Sequence, residues 1–293
     1  MWQANYVKER LQEAHPGLIV EIHGMLTKGD KILTTPLSKI GGKGLFVKEL
    51  EKAILERRAD IAVHSIKDMP MELPDRLTLA TICERDDPRD AFVSNEHSSL
   101  SELPEASVVG TSSLRRQSQI KKLFPNLNVI ALRGNVGTRL RKLDEGEYDA
   151  IILAAVGLKR LNLTNRIREH LSPEQMLPAA GQGAIGIECR ENDEKLIELL
   201  RALEDKNTRA CIEAERAVTQ KLGGSCQIPI GAYATLDQDQ LTIKALVGRP
   251  DGSEALFSTQ RGSIEDAFSL GNSVADDLIT QGAMSIINDC LQA

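Results

Sequence analysis

The stretch Val108-Val109-Gly110-Thr111-Ser112-Ser113-Leu114-Arg115-Arg116 decides the fold class, because it reads as a strand, a short hydroxyl-rich turn and the start of a helix. Small hydroxyl residues cap a helix start and leave backbone N–H groups that bind anions. Two arginines in a first turn oppose the helix dipole, and they make sense where an anionic ligand sits. The same unit returns at Leu132-Arg133-Gly134-Asn135-Val136-Gly137-Thr138-Arg139, and Arg160 repeats it after the apolar run 150–154. Working outward, candidate strands at 18–23, 61–64, 77–83, 108–110, 129–132, 150–153 and 184–188 alternate with helical patterns at 44–57, 113–124, 136–145 and 155–161. This rhythm predicts an α/β fold with mainly parallel sheets and helices on both faces. Ligands of such sheets bind at the carboxyl ends of the strands.

The charged run Glu84-Arg85-Asp86-Asp87-Pro88-Arg89-Asp90 marks a hinge between two α/β lobes, and a second polar zone, 172–182, returns the chain. After a long helix at 206–222 the pattern changes. Three consecutive strands at 228–236, 241–248 and 255–262 are followed by helices at 264–280 and 283–291, a small α+β C-terminal domain. The expected division is 1–84 with 184–203, then 89–178, then 206–293. A length of 293 residues suits two or three such cores.

Composition narrows the function classes. Net charge is −6, and there is one Trp, three Tyr and five Phe, few for a protein that stacks on nucleic-acid bases. No apolar run reaches the length of a membrane span and no secretory signal pattern is present, so a cytoplasmic protein bound to neither membrane nor nucleic acid is expected. Residues 1–8 read as amphipathic helix. The five cysteines form no C-x-x-C and the five histidines no H-x-x-x-H, which argues against a disulfide framework or a metal site.

Three further features carry chemistry. His64-Ser65-Ile66-Lys67-Asp68-Met69-Pro70 follows the apolar stretch Asp60-Ile61-Ala62-Val63, so Asp68 sits at a strand end and could face a developing cation. The plain alternative is a surface turn with a weak local ion pair. Gly223-Gly224-Ser225-Cys226-Gln227-Ile228-Pro229-Ile230-Gly231 presents one thiol on a glycine-flanked turn, where a core cysteine would sit in a periodic apolar segment. A tight turn that happens to contain cysteine is the alternative there. Arginines recurring at three successive strand ends of an acidic chain point to one anion-binding cleft, since the guanidinium fork suits carboxylates. A solvated basic face is the alternative for them. Gly41-Gly42-Lys43-Gly44 lacks the first Gly and the Ser/Thr of a phosphate loop, although Lys39 and Lys43 could meet a carboxylate. Cys189 reads as core.

Together these stretches, with Lys39-Ile40-Gly41-Gly42-Lys43-Gly44-Leu45-Phe46 and Leu177-Pro178-Ala179-Ala180-Gly181-Gln182-Gly183, resemble the porphobilinogen deaminase (hydroxymethylbilane synthase) family. The motifs run from residue 27 to 231, and the last 60 residues match in pattern and position. The resemblance implies two lobes like those of periplasmic binding proteins and a third domain bearing the cofactor cysteine. It implies a transferase of porphyrin and heme biosynthesis that joins four porphobilinogen molecules head to tail with loss of ammonia. The dipyrromethane primer would be a thioether on Cys226. Asp68 would hold pyrrole N–H groups and stabilise the cationic azafulvene, an electrostatic role. Six rings with two carboxylates each would account for Arg115, Arg116, Arg133, Arg139 and Arg160, helped by Lys39, Lys43, Lys67, Ser65, Thr111, Ser113 and Gln182. A monomer is expected.

The family opens with a strand and an Arg-x-Ser-x-Leu-Ala motif ahead of a Trp-Gln-Ala helix, whereas this sequence starts at Met1-Trp2-Gln3-Ala4. The expectation is a chain of poor stability and weak or no activity. Equal melting temperature and turnover in a version extended by that strand would contradict it. Two rival readings differ in class. A non-catalytic two-lobed binder of a small polycarboxylate needs no covalent adduct at Cys226, and a nucleic-acid binder would show a salt-dependent DNA shift.

Overall fold

Short apolar runs bounded by turns pair into three sheets in the computed structural model, which describes residues 1–25, 47–224 and 228–292. Lys39, Lys43 and Cys226 lie outside the described residues. The first sheet contains β1 (Ile61–Ser65), β2 (Leu77–Ile82) and β8 (Ile185–Arg190) in the order β1-β8-β2. Around it pack α1 (Trp2–Ala14), α2 (Lys48–Leu55) and α6 (Glu194–Leu200). Val7 and Leu11 of α1 close over Ile187, Cys189 and Leu200, while Ile54 of α2 meets Ala62 and Leu77.

The second sheet has the order β5-β4-β6-β3-β7, made of β3 (Asp90–Val93), β4 (Val108–Gly110), β5 (Asn128–Ile130), β6 (Ala150–Ala154) and β7 (Glu169–Leu171). Alternate residues of β3 and β6 face opposite sides, as the pleat requires. Phe92 and Ile152 pack against Ile120 of α3 (Leu114–Leu123). Ala91, Val93, Ile151 and Leu153 pack against Leu140 of α4 (Val136–Asp144) and Leu158 of α5 (Ala155–Lys159). The third sheet is an antiparallel meander, β9 (Ile230–Asp237), β10 (Gln240–Gly248) and β11 (Ala255–Ser263). It shares one core with α7 (Lys206–Lys221), α8 (Ala267–Thr280) and α9 (Ala283–Gln292).

The α/β class with two sheet-and-helix lobes and a small C-terminal α+β unit is therefore present. Among the described residues the five-stranded sheet is mixed and the other two are antiparallel, where mainly parallel sheets were expected. β4 runs parallel to β5 and β6, but β3 is antiparallel to β6 and β7, and β8 is antiparallel to β1 and β2. The physical reason is connectivity. Helical crossovers force parallel neighbours, whereas β3 and β8 are strands by which the chain leaves and re-enters the first lobe, free of that constraint.

Residues 18–25 carry no strand among the described residues. Leu18 and Val20 still pack on the α1–β8 core while Ile19 points to solvent, so the alternation is realised in packing without a ladder partner. β3, β7 and α6 add to the expected elements.

The predicted hinge 84–90 is a packed junction. Arg85 makes a two-pronged ion pair to the fully buried Glu215 of α7, at 2.5 and 3.2 Å, and lies over the Tyr233 ring of β9 at 4.9 Å. Glu215 also accepts from the N–H groups of Gly181 at 2.7 Å and Ala234 at 2.8 Å. One carboxylate thus joins the hinge, the returning chain and the third sheet, with its lone pairs filled as burial demands. Gly181 has φ +75°, and a Cβ there would lie 2.8 Å from Cβ of Ile66. Gly181→Ala is expected to cost about 1–3 kcal/mol from strain and overpacking, read as a lower denaturation midpoint; an unchanged midpoint would contradict this packing.

Candidate active site

β1 ends at Ser65 and tightens at once into the single 3-10 turn Ile66–Asp68. Ile66 is fully buried, and its N–H donates to the Ala184 carbonyl at 3.1 Å, so the turn is pinned from below. Asp68 is thrown outward between buried Ile66 and Met69, and among the described residues nothing donates to its carboxylate. Lys67 donates to Gln182 Oε1 at 3.5 Å. Burial pushes the Lys67 ammonium pKa down, and Arg116 and Arg115 add to this against the pull of Asp68 and Asp90. Ser65 Oγ accepts from Gln3 Nε2 of α1 at 2.6 Å.

The second lobe brings its own strand end to the same place. Asp90 opens β3 and is fully buried. It accepts from Arg115 Nη1 at 2.8 Å, Arg116 Nη2 at 2.7 Å, Arg116 Nε at 3.0 Å and Gln182 Nε2 at 2.9 Å. Burial alone would raise its pKa, but Arg115 and Arg116 overcome that and hold the carboxyl well below the usual range. Both arginines are themselves buried; Arg115 Nη1 also donates to the Leu177 carbonyl and Arg116 Nη1 to that of Ile152. Two guanidiniums share one carboxylate, so the cluster keeps a positive excess. Arg115 Nε is buried with no acceptor among the described residues.

Arg139 donates through Nε to the Gly134 carbonyl at 2.7 Å. Burial, then repulsion from Arg116 and Arg133, pushes its pKa down to about 10, with Asp68 acting in the opposite sense. Arg133 is half-buried, and burial lowers its pKa as well. The strand ends of the two lobes therefore converge: Lys67, Arg116, Arg133 and Arg139 share one electrostatic field with Asp68 and Asp90. Buried cations attract anions more strongly than the same groups in water.

The other expected residues fall as follows. Ser113 caps α3, its Oγ accepting from the Arg116 N–H at 3.4 Å, and Thr111 Oγ1 accepts from the Ser113 N–H at 3.2 Å. Both hydroxyls thus shape the turn that carries the arginines. Gln182 is buried and bridges Pro88, Asp90 and Lys67. Arg160 lies at the end of α5, with Nη2 donating to the Gly183 carbonyl at 3.2 Å and its guanidinium 5.2 Å from the Trp2 ring. Beside Cys226, Gly224 donates its N–H to the Thr219 carbonyl at 2.7 Å, and a Cβ there would stand 2.6 Å from that oxygen.

Asp90, Gln3 and Trp2 are contributors that sequence reading did not single out. For Asp90 a signal existed, an acid opening a fully apolar strand, which burial tolerates only with a cationic partner. Cys189 is buried in β8, as expected, and burial pushes its thiol up to about 11. Cys83 and Cys211 are likewise raised, to about 12 and about 11, which makes them inert thiols. Among the described residues no group of three or more His, Cys, Asp or Glu could hold a metal ion, and no helix is long and apolar enough to cross a membrane.

Residues 1–198 match the family described as porphobilinogen deaminase, dipyromethane cofactor binding domain, and residues 209–280 match porphobilinogen deaminase, C-terminal domain. Solved structures similar to the chain include an ABC-transporter periplasmic substrate-binding protein from Coxiella burnetii, 13% identical over 68% of this chain and 87% of that one, with a TM-score of 0.44. A nutrient-binding protein from Burkholderia cenocepacia bound to methionine is 12% identical over 67% of this chain and 85% of that one, with a TM-score of 0.41.

Proposed function

Because the chain belongs to the porphobilinogen deaminase family, we propose that it polymerises four porphobilinogen molecules head to tail, releasing ammonia each time, to give hydroxymethylbilane. The observation that carries this reading is one site that holds Lys67 and Arg139 in the field of the exposed carboxylate of Asp68 and, joined to Lys67 through Gln182, the Arg115–Arg116 pair on the buried Asp90. A substrate with two carboxylates and a departing ammonium needs both halves of that arrangement. The cations hold the carboxylates, and Asp68 faces the positive charge that develops at the reacting carbon.

A dipyrromethane primer fits the residues present. Arg115 Nε and Arg160 Nε are buried without acceptors among the described residues, and the cations exceed the carboxylates that neutralise them. Cys226 would anchor the primer by a thioether, and Ser65, Lys67, Thr111, Ser113, Arg115 and Arg116 would hold it. The primer supplies the pyrrole carbon to which the first ring is joined. Arg133, Arg139, Arg160, Lys39, Lys43 and Gln182 would take the substrate's carboxylates. The three sheets and their cores support a division into 1–84 with 184–203, 89–178 and 206–293, acting as a cytoplasmic monomer.

The test is incubation with porphobilinogen, following ammonia and the linear tetrapyrrole together. Four ammonia per product supports the reading, and binding without product contradicts it. Within the same assay Arg139→Gln should raise KM about tenfold or more, because hydrogen bonds to charged groups contribute about 1.5–3 kcal/mol. An unchanged KM would remove Arg139 from the substrate site.

A further inference from the structure

The first turn of α1 touches the end of α5. The Trp2 ring stacks on Tyr6 one helical turn later, with centroids 5.3 Å apart and planes 10° from parallel. The Arg160 guanidinium, at the end of α5, lies over the same indole, 5.2 Å from the ring centroid. Arg160 has no carboxylate within ion-pair distance among the described residues, and its Nε is buried without an acceptor. Burial lowers its pKa, with Asp86 acting in the opposite sense. Nη2 is fixed on the Gly183 carbonyl at 3.2 Å. A cation held by one carbonyl and no counter-ion would swing among rotamers unless something restrained its plane. An aromatic face does so without using any of its N–H donors.

We propose that Trp2 is a positioning residue for Arg160, holding the guanidinium plane so that its free edge is presented to a substrate carboxylate. The inference rests on Arg160 being a substrate ligand. It adds that the stack Tyr6–Trp2–Arg160 links α1 of the first lobe to the end of α5 in the second. The indole also screens one face of the cation from water, which strengthens its attraction for an anion at the edge.

The test uses the full chain as unaltered protein, Trp2→Leu, Trp2→Phe, Arg160→Lys and the Trp2→Leu/Arg160→Lys double variant, with porphobilinogen as substrate. Trp2→Leu should raise KM about three- to tenfold with kcat changed less than about twofold, the range a partly desolvated cation–π contact commands. Trp2→Phe, which keeps an aromatic face, should return KM to within about twofold of the unaltered protein. In the Arg160→Lys background, where the planar fork is gone, Trp2→Leu should add nothing, because the two act as one unit. Fluorescence gives a readout independent of turnover, since Trp2 is the chain's one tryptophan. Arg160→Lys should leave the indole more open to quenching by acrylamide. Additive KM effects in the double variant, no rescue by phenylalanine, or unchanged quenching would overturn the proposal. If Arg160→Lys changes the quenching but not KM, the stack is real but Arg160 is no substrate ligand. That outcome overturns the positioning role through its premise and is distinguishable from the others.

Discussion

Asp68→Asn should lower kcat by roughly a hundred- to a thousandfold, the range for removing one preorganised electrostatic group from a reacting centre, while leaving the melting temperature where it was. The two halves of that expectation have separate causes. Asp68 is exposed and, among the described residues, accepts no hydrogen bond, so the fold does not depend on its charge. The proposed reaction would, because the amide is nearly isosteric but cannot offset the cation formed as ammonia leaves. Steady-state turnover with thermal unfolding checks both. Activity within about threefold of the unaltered protein would remove Asp68 from the chemistry.

Asp90→Asn should act in the opposite way, through stability. The variant leaves Arg115 and Arg116 buried against each other with no anion between them, and breaking a buried pair from one side costs about 3–5 kcal/mol. That is a large fraction of a typical domain's stability. The pH dependence has a definite sign. Asp90 titrates well below its ordinary value in the folded chain, held there by Arg115 and Arg116 against the cost of burial. Its contribution is therefore fully present above about pH 4, the ordinary value in an unfolded chain, and is lost as pH falls toward the depressed folded value. The stability gap between the unaltered protein and Asp90→Asn should be constant near neutrality and narrow in acid. Denaturation midpoints at pH 7 and below pH 4 check this, and equal midpoints at pH 7 would contradict it.

Much of the scaffold was legible because local pattern and global packing agree. Strand 108–110 and the helix after it are set by an apolar run, a hydroxyl cap and a 3.6-residue stripe that buries Ile120. The C-terminal meander was legible for the same reason. β3 was not, because Asp90 and the charged residues before it disguise a strand that is buried along its whole length. Only the arginines, 25 and 26 positions away, make that acid admissible. The antiparallel entry of β8 is a property of topology, which periodicity does not encode. The 18–23 run has a strand's alternation, yet alternation reports burial of one face rather than pairing.

The site divides along the same line. Asp68 and the arginine loops sit in short motifs at strand ends, where residue type and position suffice. Gln3 on Ser65 and Trp2 under Arg160 join residues far apart in sequence, 62 positions in the first case, and no local pattern signals them. Even among the motif residues the structure adds a distinction. Arg115 and Arg116 are tied to Asp90, so they act as a rigid, partly neutralised platform, whereas Arg139 and Arg160 have no carboxylate within ion-pair distance among the described residues.

The measurement that bears most directly on the central claim is the intact mass of the purified chain beside a Cys226→Ser variant. The proposed function predicts an excess equal to one dipyrromethane unit on the unaltered chain and none on the variant. A bare polypeptide mass for both, or the same excess on both, would contradict a primer anchored at Cys226.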